Sequence, residues 1–449
     1  MNATGSLLVR GARVIDPARG VDNVQDVLFA DGRVVPAGSV TPDHTIDATG
    51  LTLAPGFVDL HCHLREPGHE YKETIQSGLN AGAHGGFTTV CAMPNTEPAT
   101  DNRSVVEFVL RTAKFVGLAR VLPIGAVTVA RAGKQLAELG ELADAGCIGF
   151  SDDGNPVADS EIMRRALEYA TGLGLPIIDH CEDPSLARGG VMNEGWVSTR
   201  LGLKGQPAAA EEAMAARDIQ LAELTGGHVH IAHVSTAGTV ELVRSAKARG
   251  VHVTAEVTPH HLTLSDEAVL YSDSGPQVPA YDTNARVNPP LRGASDRDAS
   301  VRGLTDGTID CVATDHAPQA TTDKFCEFDA AAPGISGLET AMALVLELVH
   351  EGRLSMARAV EALTAGPVRA LRLERFVPGI GSLAAGAPAD AVLFDPDASW
   401  TVDPRAFVSF GKNTPFAGRR VRGRVIATVY NGTISYMDPV FDGSRPVRS

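Results

Sequence analysis

Eight short apolar runs, at 57–63, 87–93, 120–127, 147–152, 176–180, 228–233, 252–257 and 309–314, are separated by intervals each long enough to hold a helix. Runs of this length read as strands buried on both faces, and their alternation with helix-sized intervals is the pattern of a parallel sheet covered by its own crossovers. Helical periodicity is best developed at 104–115, 159–171, 208–224, 236–249 and 337–350. Eight such units close most naturally into a (β/α)8 barrel. The flanks have a different texture. Residues 6–53 and those from 379 onward carry short strands broken by turns, with Asp31-Gly32 and Asn431-Gly432 as hairpin signals. The expectation is an α/β chain: a barrel over 55–370, inserted into a small composite β-sandwich built from 1–54 and 371–449.

Barrels of this kind do their chemistry at the C-terminal ends of the strands. The first strand ends in Asp59-Leu60-His61-Cys62-His63-Leu64-Arg65. Alternation along a strand puts His61 and His63 on one face and turns Cys62 away. A lone pair of histidines spaced this way is usually structural, so its weight depends on other strand ends. Those supply Asp153, His180, His233 and Asp315. By parity His180 falls in phase with Ile178, His233 with Ile231 and Val229, Asp315 with Ala313 and Cys311, and Asp153 with Ser151. Four imidazoles and two carboxylates are more than one zinc uses; they suit two ions with a carboxylate between them. Arg65 offers a planar fork for an anion. Among the other histidines, His44, His69, His84 and His350 fall in loops or on helices. His228, His230 and His252 fall out of phase with the barrel filling or at strand starts. His260, His261 and His316 stand close enough to orient ligands.

Charge narrows the partners. Lys plus Arg number 39 against 54 Asp plus Glu, a net −15. A chain so acidic is a poor binder of nucleic acid or of an anionic membrane, and no apolar run reaches spanning length. With no signal-peptide pattern at the start, a cytoplasmic enzyme is expected. The six cysteines form no CxxC pair, and Cys62, Cys91, Cys147, Cys181 and Cys311 lie in apolar runs, which reads as buried free thiols in a reducing compartment.

Taken together, residues 59–68, Asn95 in Met93-Pro94-Asn95-Thr96, Asp152-Asp153-Gly154, Asn288 in Val287-Asn288-Pro289-Pro290-Leu291-Arg292, and 313–318 resemble a class I bacterial dihydroorotase of the amidohydrolase superfamily. The resemblance runs over nearly the whole chain. It implies a distorted (β/α)8 barrel, a composite β-domain and two zinc ions. His61, His63 and Asp315 would hold one ion, His180 and His233 the other, and Asp153 would bridge them. It further implies reversible cyclisation of N-carbamoyl-L-aspartate to (S)-dihydroorotate in de novo pyrimidine (UMP) biosynthesis. Asp315 would act as base and then acid; Arg65, Asn95, Asn288, Gln319, Pro333 and Gly334 would hold the substrate. Many relatives bridge their metals with a carboxylated lysine, but no lysine stands between Lys134 and Lys204, which favours the aspartate-bridged class. One position departs from the family: Gln319 stands where a second histidine is usual, exchanging a charge-assisted bond for a neutral one at a cost of about 1 kcal/mol. The segment 321–334 reads as a loop able to cover the site. The competing readings are a hydantoinase- or allantoinase-like enzyme acting on another cyclic ureide, and a non-catalytic subunit of aspartate carbamoyltransferase. Arg65 with Asn95 disfavours the first, and the complete ligand set disfavours the second. A homo-oligomer is expected, and partnership with aspartate carbamoyltransferase is compatible with activity.

Overall fold

The computed structural model describes residues 5–270 and 281–441. At its centre the strands Phe57–Cys62, Phe87–Ala92 and Arg120–Pro123 run parallel in one arc. Ile177–Asp179, Val229–Ile231, Val253–Val257 and Cys311–Val312 run parallel in a second. Parallel bridges from Phe150 to Gly125 and to Ile177 join the arcs on one side, and a bridge from Cys62 to His316 closes the ring on the other. The fourth strand, expected over 147–152, is thus reduced to bridge pairing at Phe150. The chain leaves the ladder there because Asp152 turns aside to take the backbone N–H and hydroxyl of Thr128. The result is a distorted (β/α)8 barrel.

Helices Arg103–Val116, Ser160–Leu173, Ala209–Thr225 and Ala237–Ala248 fall where periodicity puts them. The helix expected from 337 starts four residues later, as Ala341–His350. Its lead-in is diverted by His316, whose Nδ1 accepts the N–H groups of Gly337 and Leu338 at 3.1 and 3.4 Å. Ile75–His84, Ala294–Asp306 and Met356–Leu363 are further helices that the sequence pattern did not single out. No helix among the described residues is long and apolar enough to cross a membrane.

The flanking segments pair into one sheet. Its backbone order is Thr433–Met437, Arg420–Tyr430, Ala391–Thr401, Thr52–Pro55, Leu7–Asp16, Val21–Ala30 and Arg33–Val35, with His44–Asp47 beside the first half of Leu7–Asp16. Leu7–Asp16 can serve two neighbours on one edge because it bulges between Val9 and Ala12, where Gly11 takes φ +72°. The sheet encloses its own core, from Leu7, Val14 and Phe29 across to Leu393, Ile426 and Val429. The two ends of the chain meet where Thr52–Pro55 lies antiparallel to Ala391–Thr401. One residue later the chain enters the first barrel strand. There Phe57 meets Phe87 edge-on at 5.7 Å and Phe394 at 6.3 Å, all three buried. At roughly 2–3 kcal/mol for each fully buried ring, this junction fixes the depth of the strand that carries His61 and His63.

Candidate metal centre and substrate cavity

Barrel geometry brings all the strand-end candidates together. Asp153 stands at the focus: its Oδ1 lies 3.3 Å from His61 Nε2, 3.5 Å from His233 Nε2 and 3.7 Å from His180 Nδ1, and its Oδ2 lies 3.5 Å from His63 Nε2. Asp315 Oδ1 approaches His63 Nε2 at 3.0 Å and His61 Nε2 at 3.5 Å. His180 Nδ1 and His233 Nε2 face each other at 2.9 Å. The groups His61, His63, Asp315 and His61, Asp153, His233 each offer one ligand atom per residue, all within 4.8 Å of one another.

Supporting residues fix which nitrogen faces inward. Glu256 Oε1 accepts from His61 Nδ1 at 2.7 Å and Asn95 Oδ1 from His63 Nδ1 at 2.8 Å, so that both Nε2 atoms face the carboxylates of the centre. His180 Nε2 is turned instead toward Glu182 Oε2 at 3.4 Å, with Asn288 Nδ2 3.3 Å away. Arg131 donates to the Asp153 carbonyl at 2.6 Å and so anchors Asp153 from outside. Asp152, by contrast, is committed to Thr128 and takes no part in the centre.

The donor set fits divalent cations. His61 Nε2 and Asp153 Oδ1 are buried and have no hydrogen-bond partner among the described residues, an arrangement that is costly unless something else occupies their lone pairs. Burial alone would raise the carboxyls of Asp153 and Asp315, but the surrounding imidazoles outweigh it and hold both well below the usual carboxylate range. Burial likewise opposes ionisation of Glu256, and His61 and His230 bring it down to about 2. A cluster of ionised carboxylates needs positive charge, and Arg65 is the sole Arg or Lys among the described residues lining the cavity. Asp179, Cys181 and Asp218 also approach one another, but Arg217 Nε already stands 2.7 Å from Asp218.

Backbone strain marks the same place. Arg65, His233 and Asp315 take φ values of +63°, +32° and +44°, a region that costs a non-glycine residue about 1–3 kcal/mol. For His233 this corrects the parity argument. Val229 and Ile231 pack outward among the helices, while Ala232 belongs to the inner filling and His230 points inward to Glu256. Strand alternation would therefore send His233 outward, and the left-handed turn at His233 itself returns it to the centre. His180 and Asp315 do follow the inner residues Ile178, Cys311 and Ala313. His230 is correspondingly a barrel-interior group, not an out-of-phase one; Thr254 Oγ1 at 2.8 Å and Glu256 Oε2 at 3.2 Å satisfy it.

Above the centre lies a cavity of about 160 Å3 lined by Arg65, Asn95, Asn288, Gln319, Pro333 and Gly334 together with His63, Asp153, His180, His233 and Asp315. Every residue expected to hold substrate faces it. Segment 321–334 covers one side, beginning with the short helix Thr321–Lys324. Buried Lys324 ties it down by donating to the carbonyls of Thr283 and Arg286 at 3.0 and 3.2 Å. A larger cleft of about 420 Å3, sharing no lining residue with this cavity, lies among Glu339, Trp400, Arg424 and Tyr436 at the junction with the sheet.

Sequence reasoning missed Glu256, Glu182 and Lys72. Glu256 had a signal: it is a lone acid near the end of the apolar strand Val253–Val257, and a fully buried Glu is rare unless paired. Glu182 and Lys72 had none, since each sits in a polar loop. The five cysteines in apolar runs are buried and free, and Cys326 is exposed.

Comparison with known proteins gives a consistent picture. A dihydro-orotase-like family model matches residues 50–239. The chain is 52% identical over 432 residues to a dihydroorotase of Anaeromyxobacter dehalogenans, covering 95% of this chain and 97% of that one. It is 51% identical over 434 residues to a dihydroorotase of Desulforapulum autotrophicum, covering 95% and 98%. Among solved structures, an L-hydantoinase (dihydropyrimidinase) from Arthrobacter aurescens superimposes with a TM-score of 0.82 at 25% identity over 95% of both chains.

Proposed function

This chain belongs to the dihydroorotase family, and on that premise we propose that its cavity cyclises N-carbamoyl-L-aspartate reversibly to (S)-dihydroorotate in the cytoplasm, with two zinc ions per chain as cofactor. The barrel over 55–370 is the catalytic unit, and the segments 1–54 and 371–449 form its companion. His61, His63 and Asp315 would hold one ion, His180 and His233 the other, with Asp153 between them. When bound, zinc supplies Lewis acidity toward the carbonyl under attack and toward water. The chain's own groups do the rest. In the cyclising direction Asp315 accepts a proton from the ureido nitrogen as it attacks the side-chain carboxyl carbon, and returns it to the oxygen that departs as water. In the hydrolytic direction it takes the proton of the attacking water and delivers it to the ring nitrogen. Arg65 meets the substrate α-carboxylate through a charge-assisted pair, Asn95 and Gln319 donate neutral bonds, and Asn288 with the backbone at Pro333 and Gly334 meets the ureide.

The observation that carries this reading is Asp153, set 3.3–3.7 Å from four imidazoles, beneath a cavity in which Arg65 is the lining guanidinium. The test is cyclisation of carbamoyl aspartate by protein of measured zinc content, beside a panel of uncharged rings. Turnover of dihydroorotate in preference to hydantoin and dihydrouracil supports the reading; preference for an uncharged ring sinks it. Self-association, and association with aspartate carbamoyltransferase, are part of the same proposal and are checked by sedimentation and co-purification.

A further inference from the structure

Lys72 lies outside every motif that marked the site, in the loop that follows the first barrel strand and also carries Arg65. Its Nζ donates to Gln319 Oε1 at 2.7 Å and pairs with Asp323 Oδ2 at 3.2 Å. Gln319 in turn donates through Nε2 to the Pro333 carbonyl at 2.7 Å, and it lines the cavity. An ammonium has only donors, so the Gln319 amide has one admissible orientation: oxygen toward Lys72, NH2 toward Pro333 and the cavity. That NH2 carries two hydrogens and Pro333 uses one.

The remaining contacts of the unit are structural. The Gln319 backbone N–H donates to Asn413 Oδ1 at 2.9 Å, while Asn413 Nδ2 donates to the Gly334 and Ala317 carbonyls at 2.8 and 3.1 Å. The Pro333-Gly334 backbone is therefore held from two sides, and Gly334, at φ +132°, has Ala317 atoms 2.6–2.7 Å from where a Cβ would stand. Asn413 and the bond from the Gly334 N–H to the Arg286 carbonyl at 2.9 Å keep that segment seated without Lys72. The distinct contribution of Lys72 is electrical. A cation on the oxygen of an amide polarises its N–H groups into stronger donors, and the gain is larger where water is excluded, as it is around a Gln319 that is 6% exposed.

We propose that Lys72 is a specificity-determining residue that acts through Gln319, whose polarised amide N–H binds the carboxylate of the substrate. This rests on the dihydroorotase reading. It adds a cationic influence in the loop of Arg65 that does not touch the ligand. It also explains how a neutral side chain can contribute to anion selection in a strongly acidic protein.

Steady-state kinetics on the zinc-loaded full-length enzyme test it. Lys72→Met is expected to raise KM for dihydroorotate about tenfold with kcat within about twofold, and Lys72→Arg to restore most of the loss. Gln319→Leu should reproduce the Lys72→Met effect, and the double variant should be no worse than Gln319→Leu alone, because one path serves both residues. Gln319→Leu leaves Lys72 its Asp323 partner, so this arm stands even if Lys72→Met folds poorly. An unchanged KM in Gln319→Leu, a loss confined to kcat, or additive losses in the double variant would overturn the inference. Wild-type enzyme that fails to turn over dihydroorotate would instead overturn the functional reading itself.

Discussion

The barrel carries histidine clusters at both ends, and only one of them has the makings of a metal site. At the strand starts His228 and His252 stack at 4.0 Å with rings 17° apart. His228 Nε2 meets Thr254 Oγ1 at 2.8 Å, and His252 Nε2 meets Arg372 at 2.9 Å. Those nitrogens are satisfied by neutral or cationic partners. At the strand ends the imidazoles instead converge on Asp153 and Asp315, with His61 Nε2 and Asp153 Oδ1 left without hydrogen-bond partners. Proximity of imidazoles is therefore not the distinguishing feature. Carboxylates at the focus, and further carboxylates behind the rings fixing their tautomers, are what separate a cation site from a packed interior.

The largest expected contrast comes from truncating each end. Asp153→Ala should remove bound metal and lower kcat/KM by more than about 10^3, roughly 4 kcal/mol of transition-state stabilisation. His252→Ala should leave kcat/KM within about threefold and register only in thermal stability. Comparable activity losses from the two variants would erase the distinction. A smaller effect should follow from Glu256→Gln, which keeps the shape but replaces an anionic acceptor for His61 Nδ1–H with a neutral amide. Metal affinity, measured by competition with a chromogenic chelator, should fall about 10- to 100-fold.

The smallest effect belongs to the strand-start end and depends on pH. Burial, reinforced by His252, His230 and Arg372, lowers His228 to about 2, below the 6.5 of an ordinary imidazole. Below pH 6.5 the unfolded chain binds a proton there that the folded chain refuses, so stability is complete above that pH and is lost as pH falls toward 2. His228→Asn should remove about 1 kcal/mol of the stability lost between pH 6 and pH 5, seen as a shallower fall of the urea midpoint. An unchanged slope would mean that His228 titrates normally in the folded protein.

The same contrast shows what the sequence could reveal. The barrel was legible because eight apolar runs at helix-sized spacing have few other closures, and the metal-centre candidates were legible because ligands must sit at strand ends. Phase was less dependable. His180 follows its strand, but His233 reaches the centre only through a backbone turn at φ +32°, which alternation does not anticipate. Supporting residues were the least legible. Glu256 hid within a strand, and the contact of Lys72 with Gln319 spans 247 positions, so nothing local announces it.

Metal analysis of purified protein, paired with carbamoyl aspartate cyclisation on the same samples, tests the central claim most directly. Two zinc ions per active chain are predicted, with metal and activity lost together in His61→Ala and His180→Ala and retained in His252→Ala. Full activity in chains stripped of metal, or unaltered metal content in His61→Ala and His180→Ala, would contradict it.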